Sequence, residues 1–355
     1  MTRSNGKVRG KRGFTLITTG VCSIAMLGML GLAVDLGRVY VVKNEMQAYA
    51  DSASLAASVE LDGTDAGISR AQSAVTSNTN RWNLGTATFS GTQTHFATNV
   101  SGPWQSSPSP ATNYRFVRVR ANGNVSLYFL PVVAAPNSAN VSAVALAGQV
   151  VKQDFREGVF PFSPLAHNHA PPDFGFVSGQ WYTLRWGSNP RVGVNVCAGD
   201  DAPQWVDHAE EGASSERGYI DETSSAVLRM AIEQDYQSRT LTIGEPVVMT
   251  GGNKQTQRDS LITRINQDTD PNSTSYAQYD AAGAGNGRRL VVTAINTGFP
   301  DYLVLGFHLF FLLHSSEYGS GGNQPFCAEY VGPYVQGSRH KGAGDAGAYV
   351  ARLVQ

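Results

Sequence analysis

Side chains suited to holding a cation alternate along one stretch of the chain: Asp268, Asp270, Asn272 and Thr274. Oxygen ligands at alternate positions open an EF-hand calcium loop, which also needs Gly at its sixth position and Glu at its twelfth. Here those positions hold Ser273 and Tyr279. The stretch is therefore a weak calcium-loop candidate, and a turn built on Asp and Pro is the favoured interpretation. We predict no metal site and no cofactor.

Familiar catalytic motifs are missing from the sequence, which contains no GxSxG, HExxH, CxxC or P-loop pattern. Gly342, Gly344 and Gly347 spell GxGxxG, but a dinucleotide-binding fingerprint needs a strand before it and a helix after it. A strand-like segment follows these glycines, which favours a glycine loop. Because no spacing assembles a nucleophile, a base and an orienting group, we predict that the protein is not an enzyme.

The chain has three cysteines, and two of them could react with each other. Cys22 lies in an apolar run and is most simply an apolar filler. Cys197 and Cys327 lie in the part of the chain that we expect to be exported, where an oxidising compartment permits a disulfide. The sequence leaves two alternatives open, a bond between Cys197 and Cys327 or two buried thiols.

An N-terminal apolar run must position all of these groups relative to a membrane. Residues 14–34 carry no charge, and at about 1.5 Å per residue a helix of that length spans the roughly 30 Å of a bilayer core. We predict a transmembrane helix at residues 14–36 and a stalk helix at residues 37–62. Residues 1–13 form a basic tail. The positive-inside rule places this tail in the cytoplasm and the C-terminal bulk beyond the bacterial inner membrane, in the periplasm or at the cell surface.

Cleavage after Gly13 is the minority interpretation of the N-terminus. The sequence around Gly13 and Phe14 is similar to a type IV prepilin cleavage site, but pilins have Glu at the fifth mature position and this chain has Thr18. The run also exceeds the apolar region of about 7–15 residues in a cleaved secretory signal. We favour an uncleaved signal anchor in contact with inner-membrane lipid. The anchor accounts for the basic tail, so we predict no nucleic-acid partner.

Small residues recur four apart along the predicted helix. Small side chains at this spacing let a second helix approach closely, whereas an alanine-rich helix without a partner is the alternative interpretation. Asp35 and Arg38 lie three residues apart at the outer membrane boundary and can pair on one helix face. The predicted helix-contact residues are Ala33, Asp35, Gly37, Arg38, Ala50, Ala53, Ser54 and Ala57.

The rest of the chain predicts an α+β fold, in which a β-rich exported region with a few short helices follows the stalk. Residues 63–151 are expected to form a small α/β exported domain and residues 152–355 a β-rich exported domain. Alternating runs between Tyr114 and Leu130 predict a hairpin with a three-residue loop at 122–124. A helix is predicted at 221–236 with Asp221 as its cap. Strands are predicted at 141–151, 181–186, 192–196, 290–295, 302–313, 329–335 and 348–354.

Three motifs mark the N-terminal segment: Arg12 and Gly13 before the run, GLAVDLGR ending at Arg38, and MQAYADSASLAA ending at Ala57. In these motifs the segment resembles the membrane-anchoring region of TadG-like proteins of the tight-adherence (Flp) pilus system. The resemblance implies a single-pass envelope protein that assists the machinery building an adhesive pilus. It also implies a pseudopilin-like or minor-subunit role, with pilus-assembly or pilin-like proteins as partners.

Two hypotheses about function follow, and a cell-envelope hydrolase whose site no motif reveals ranks third. The leading one is a membrane-anchored, non-catalytic component of a pilus assembly system that acts through contacts of its N-terminal helix. The alternative is an envelope-anchored, adhesin-like binding module whose exported domain recognises a surface ligand.

Overall fold

The computed structural model describes residues 11–79, 87–133, 136–204, 216–252, 254, 256–344 and 347–354. Its first element is one uninterrupted helix, α1 (Lys11–Val59). The transmembrane helix predicted at 14–36 and the stalk predicted at 37–62 are consecutive parts of α1. The basic tail predicted at 1–13 lies almost entirely outside the described residues.

Helix α1 has two regions with different surroundings. Its N-terminal region is apolar and projects away from the rest of the chain, with side chains such as Leu16 and Ile24 largely exposed. Within the described residues, this is the one helix long and apolar enough to cross a membrane. From Val42 onward one face of α1 is buried against the remainder of the protein. The helix therefore has the length and composition of a single membrane anchor that continues into a docked stalk.

A sheet begins beside the stalk. Helix α2 (Asp65–Thr79) packs on α1, and three antiparallel strands follow, with a single helical turn before the third. These elements are β1 (Ala87–Ala97), β2 (Phe116–Ser126), α3 (Leu130–Val133) and β3 (Ser138–Val151).

Among its described residues, the second half adds further strands and three α-helices of up to three turns. They are β4 (Asp154–Phe155), β5 (Trp181–Arg185), β6 (Glu216–Ile220), α4 (Ser225–Gln234), β7 (Leu241–Thr242), β8 (Met249–Gly251), α5 (Thr256–Asn266), α6 (Tyr276–Ala281), β9 (Leu290–Asn296), β10 (Val304–Leu312), β11 (Phe326–Gln336) and β12 (Ala348–Leu353). The predicted fold class, an N-terminal apolar helix followed by a β-rich region with short helices, is confirmed.

One eight-stranded sheet connects the two halves. Its order is β1-β2-β3-β12-β11-β10-β9, and β5 also pairs with β11. The last strand, β12, is antiparallel to β3 and parallel to β11. It therefore places strands from both sides of residue 151 in one sheet, and the domain boundary drawn there from the sequence stays a prediction.

The hairpin predicted around Asn122 and Gly123 is wrong. Strand β2 runs straight through both residues, because it has a partner on each side: Gly123 pairs with Phe89 of β1 and with Val141 of β3. An Asn-Gly pair favours a turn locally, but two neighbouring strands satisfy the extended backbone here. The sequence missed β1, which lies in a polar segment.

Two further local predictions need correction. Helix α4 begins at Ser225, and its cap is Ser224, whose hydroxyl accepts the Val227 N–H at 3.2 Å. Asp221 instead forms an ion pair with Arg239 at 3.3 Å. The strand predicted at 192–196 is a turn closed between Arg191 and Val194.

Candidate functional site at the membrane-proximal junction

Asp35 connects the anchor helix to a distant loop. Its carboxylate accepts three successive backbone N–H groups, from Tyr128 at 2.9 Å, Phe129 at 3.0 Å and Leu130 at 2.7 Å. The side chain is 2% exposed. One anionic side chain thus satisfies the donors at the start of α3, in the way that a capping carboxylate does.

Arg38, the residue that the sequence pairs with Asp35, contacts the same loop. Its guanidinium carbon lies 4.2 Å from the centroid of the Tyr128 ring, a cation–π distance. Its Nη2 also lies 3.5 Å from the Ser126 carbonyl oxygen at the end of β2. Asp35 and Arg38 therefore act together on residues 126–130, and we call residues 128–130 the junction loop.

Gly31, one turn before Asp35, makes room for the junction loop. A Cβ atom at Gly31 would lie 2.4 Å from Cβ of Phe129, a distance that real Cβ contacts do not show. The glycine therefore lets the Phe129 side chain pack directly on the helix backbone.

Beyond the junction, α1 follows β3 away from the membrane end. Gln47 donates to the Val144 carbonyl at 3.2 Å, Lys43 donates to the Ser142 carbonyl, and Gln149 donates to the Ser58 carbonyl at 2.9 Å. The apolar contacts alternate with these bonds: Val42, Met46 and Ala50 pack on Val125, Val141, Ala143 and Ala145. The docked face is thus both apolar and hydrogen bonded along its length.

Four of the predicted helix-contact residues face inward, which corrects the sequence interpretation. Ala50, Ala53, Ser54 and Ala57 have no exposed surface. Ala53 and Ala57 lie in a core with residues of α2, β2 and β3. Their small size permits close packing of α1 on α2 and on the sheet, so a helix of another protein has no access to them in this fold.

Ala33 and Gly37 lie on the opposite side of α1 from Asp35 and are exposed. Leu36, Tyr40 and Val41 extend this face by helical spacing and are also exposed, Tyr40 by 68%. We call Ala33, Leu36, Gly37, Tyr40 and Val41 the outer stripe. Because Tyr40 and Val41 lie beyond the predicted span, the outer stripe continues the apolar surface of α1 past the predicted transmembrane segment.

The weak calcium-loop candidate is a hydrogen-bonded turn. The Asp268 carboxylate accepts the Asp270 N–H at 2.9 Å and the Tyr279 hydroxyl at 2.7 Å, and Asp270 accepts the Ser273 hydroxyl at 2.5 Å. The hydrogen bond from the Ser273 hydroxyl is the largest cause of the lowered pKa of the Asp270 carboxyl. Thr274 donates to Gln278 rather than toward the carboxylates. Among the described residues, no cluster of three His, Cys, Asp or Glu side chains could hold a metal ion.

Cys197 and Cys327 are joined by a disulfide, with sulfurs 2.02 Å apart. The Cys197 N–H also donates to the Thr183 hydroxyl of β5 at 3.0 Å, and Cys327 pairs with Thr183 in the sheet. The bond therefore ties the segment around Cys197 to the paired strands β5 and β11. Cys22 is exposed on the apolar part of α1.

A buried histidine is the strongest candidate for chemistry in the second half. The pKa of His308 is lowered to about 3 by burial, so its ring is neutral. Tyr330 donates its hydroxyl proton to Asp173 at 3.0 Å and accepts from His308 Nδ1 at 2.7 Å. Phe174 packs its ring 5.5 Å from the imidazole. This arrangement fixes the tautomer of a buried ring and is explained by packing.

The sequence singles out Asp35 and Arg38 but does not indicate the junction loop. Tyr128, Phe129 and Leu130 follow Asp35 by more than ninety residues, and no local pattern marks them as its partners. The one available signal in the sequence was the pair of adjacent aromatic residues, Tyr128 and Phe129, after an otherwise alternating run.

Comparison with known proteins identifies the same segment. Residues 13–66 match the Tad family model, described as "Putative Flp pilus-assembly TadE/G-like", as the resemblance drawn from the sequence motifs predicts. The match covers α1, including Gly31, Asp35 and Arg38, and the start of α2. The curated proteins give no match to the chain, and neither do the solved structures.

Proposed function

We propose that the chain is a membrane-anchored, non-catalytic component of a Flp-type pilus assembly system. The observation that carries the proposal is the family match over residues 13–66, the segment that contains the anchor and the junction. In this proposal the N-terminus is cytoplasmic, α1 crosses the inner membrane once, and the β-rich part lies in the periplasm or at the cell surface. The Cys197–Cys327 disulfide supports an oxidising location.

The proposed mode of action is contact between helices, in a pseudopilin-like or minor-subunit role. The outer stripe is the surface that supports it, because its small residues permit close approach and its larger ones bury apolar area. The docked face of α1 cannot serve this purpose, since its small residues are buried in the chain's own core. The partners are other pilus-assembly or pilin-like proteins, which approach α1 from the side opposite Asp35.

Deletion of the gene and complementation test the proposed system. A deletion strain should lose surface pili and adherent cells, and the intact gene should restore both. Normal numbers of pili in the deletion strain would refute the assignment to pilus assembly.

The contact surface is tested by paired variants. Ala33→Leu combined with Gly37→Leu should reduce co-purification with the other assembly proteins, because two added side chains keep a partner helix at a distance. Gly28→Leu adds volume seven residues before Asp35, on the side of α1 opposite the outer stripe, where an added Cβ atom meets no other atom within 4 Å, and is the matched control. Equal co-purification of both variants would argue against the outer stripe.

A further inference from the structure

The junction loop exposes aromatic surface next to the anchor. Tyr128 is 59% exposed and Phe129 is 47% exposed, although the backbone N–H groups of both are held by Asp35. Exposed aromatic side chains on an ordered backbone cost free energy in water unless something covers them. The position of the two rings relative to the bilayer indicates what covers them.

Helix geometry gives the level of the loop. A helix that enters the hydrocarbon core at Phe14 leaves it near Asp35, about 30 Å further along. A tilt of about 20° shortens this distance by only roughly 2 Å. Phe129 packs on Gly31, one turn or about 5 Å before Asp35. The Phe129 ring therefore lies at the edge of the hydrocarbon core, and Tyr128 with Arg38 lies in the headgroup layer.

We propose that the junction loop is a membrane-interface element that inserts Tyr128 and Phe129 into the outer surface of the bilayer that α1 crosses. This inference rests on the proposed membrane-spanning role of α1 and deepens it. Tyr and Phe rings suit this layer because their apolar bodies leave water while the Tyr hydroxyl and the Arg38 guanidinium stay hydrated. The three hydrogen bonds from residues 128–130 to Asp35 then hold the exported part at one height and one rotation above the membrane.

The surroundings favour lipid over a protein partner at this position. The rings are continuous with the exposed apolar surface of the anchor, whose neighbouring residues Leu32 and Val34 are also exposed. The outer stripe lies on the opposite side of the helix, so a partner helix there leaves the junction loop uncovered. The bilayer is present all around the helix at this level.

Depth-dependent quenching on the full chain in phosphatidylcholine vesicles tests the inference. A polarity-sensitive fluorophore is attached to single cysteines in a Cys22→Ala background, at Tyr128→Cys, at Ile24→Cys within the span and at Val100→Cys. Val100 is 40% exposed and follows β1, whose nearby end pairs with Phe116. Strand β2 separates that end from Ser126 by about 33 Å, so Val100 is remote from the junction. Leu130→Cys replaces Tyr128→Cys if the latter does not fold, as judged by protease resistance of the exported part.

We expect lipids with a nitroxide near the headgroup to quench the probe at position 128 more than the probe at position 24. Lipids with a nitroxide deep in the acyl chain should quench the probe at position 24 more. The probe at 100 should respond only to aqueous iodide. If the probe at 128 behaves like the one at 100, or is shielded from lipid and iodide alike by protein, the inference is overturned while the span at 24 stands. Loss of lipid quenching at position 24 would remove the spanning role itself, and the inference with it.

Discussion

At the residue scale, Asp35 is a structural connector rather than an isolated interfacial charge. A carboxylate next to the membrane is expected to seek a nearby cation, and the sequence indicates Arg38. The structure gives its two oxygens three backbone donors from a loop more than ninety residues later. The residue therefore connects the β-rich part of the chain to the anchor helix.

Asp35→Asn should release the junction loop. One oxygen becomes an NH₂ group that cannot accept a hydrogen bond, so at least one of the three N–H groups loses its partner. We expect hydrogen exchange of the amides at 128–130 to accelerate by about tenfold or more, because each bond is charge assisted. The matched control is Asp51→Asn on the same helix, whose carboxylate accepts only from a neighbouring side chain in the bonds described. Equal exchange at 128–130 in both variants would contradict the connector role.

His308 should make the second half sensitive to acid. Burial lowers its folded-state pKa from 6.5 to about 3, so between these values the unfolded chain binds a proton that the folded chain does not. The free energy of unfolding must then fall as the pH falls from about 6.5 toward 3, by up to about 1.4 kcal/mol per pH unit from this group.

Denaturant unfolding of wild type and His308→Gln from pH 7.5 to 4 measures this dependence. At pH 7.5 the variant should have a lower free energy of unfolding than wild type. Between pH 7.5 and 4 this free energy should fall less in the variant than in wild type. His169→Gln, at an exposed histidine, should keep the wild-type slope. An unchanged slope in His308→Gln would show that other groups cause the acid sensitivity.

At the element scale, α1 is a helix with one buried face and one exposed face. The face with Val42, Met46, Ala53 and Ala57 is buried in the chain's own core. The outer stripe is exposed and available to a partner. Small residues occur on both faces, so their spacing alone could not separate packing within the chain from contact between chains.

Ala53→Leu and Ala33→Leu should distinguish the buried face from the exposed face. Leu at position 53 has no room, and overpacking should lower the free energy of unfolding of the exported part by about 1–3 kcal/mol. Leu at position 33 is on the exposed face, so stability should be unchanged. Denaturation in detergent monitored by near-ultraviolet circular dichroism measures both. Equal stability of the two variants would contradict the assignment of the faces.

At the scale of the whole molecule, one sheet and one disulfide hold distant segments together. Strand β12 returns from the end of the described chain to pair with β3, and His340 contacts both Asp280 of α6 at 2.6 Å and Glu60 near the end of α1 at 3.9 Å. The hydrogen bond from His340 lowers the pKa of the Asp280 carboxyl. The stalk and the second half are therefore in direct contact, whether or not residue 151 proves to be a domain boundary.

Removal of the disulfide should destabilise the second half. The bond closes a loop with a sequence separation of 130, so Cys197→Ser with Cys327→Ser should lower the free energy of unfolding by about 2–5 kcal/mol. In a guanidinium titration, reduction of the wild-type protein should lower its free energy of unfolding by the same amount as the double substitution. Cys22→Ser is the control and should leave the free energy of unfolding of the β-rich part unchanged. No difference between oxidised and reduced protein would mean that the bond does not restrict the unfolded chain.

The sequence by itself determined what depends on neighbours along the chain. An uncharged run of sufficient length specifies an anchor because helix rise and bilayer thickness are both nearly constant. Apolar residues, alternating or in a continuous run, predicted β3, β5 and β9 to β12 within a few residues. Only the tertiary structure decided which side of α1 faces the protein, where the backbone donors for Asp35 come from, and why Asn122-Gly123 stays extended. Each of these depends on segments that are remote in sequence, and the free energy of packing them exceeds the local preference for a turn or an exposed helix face.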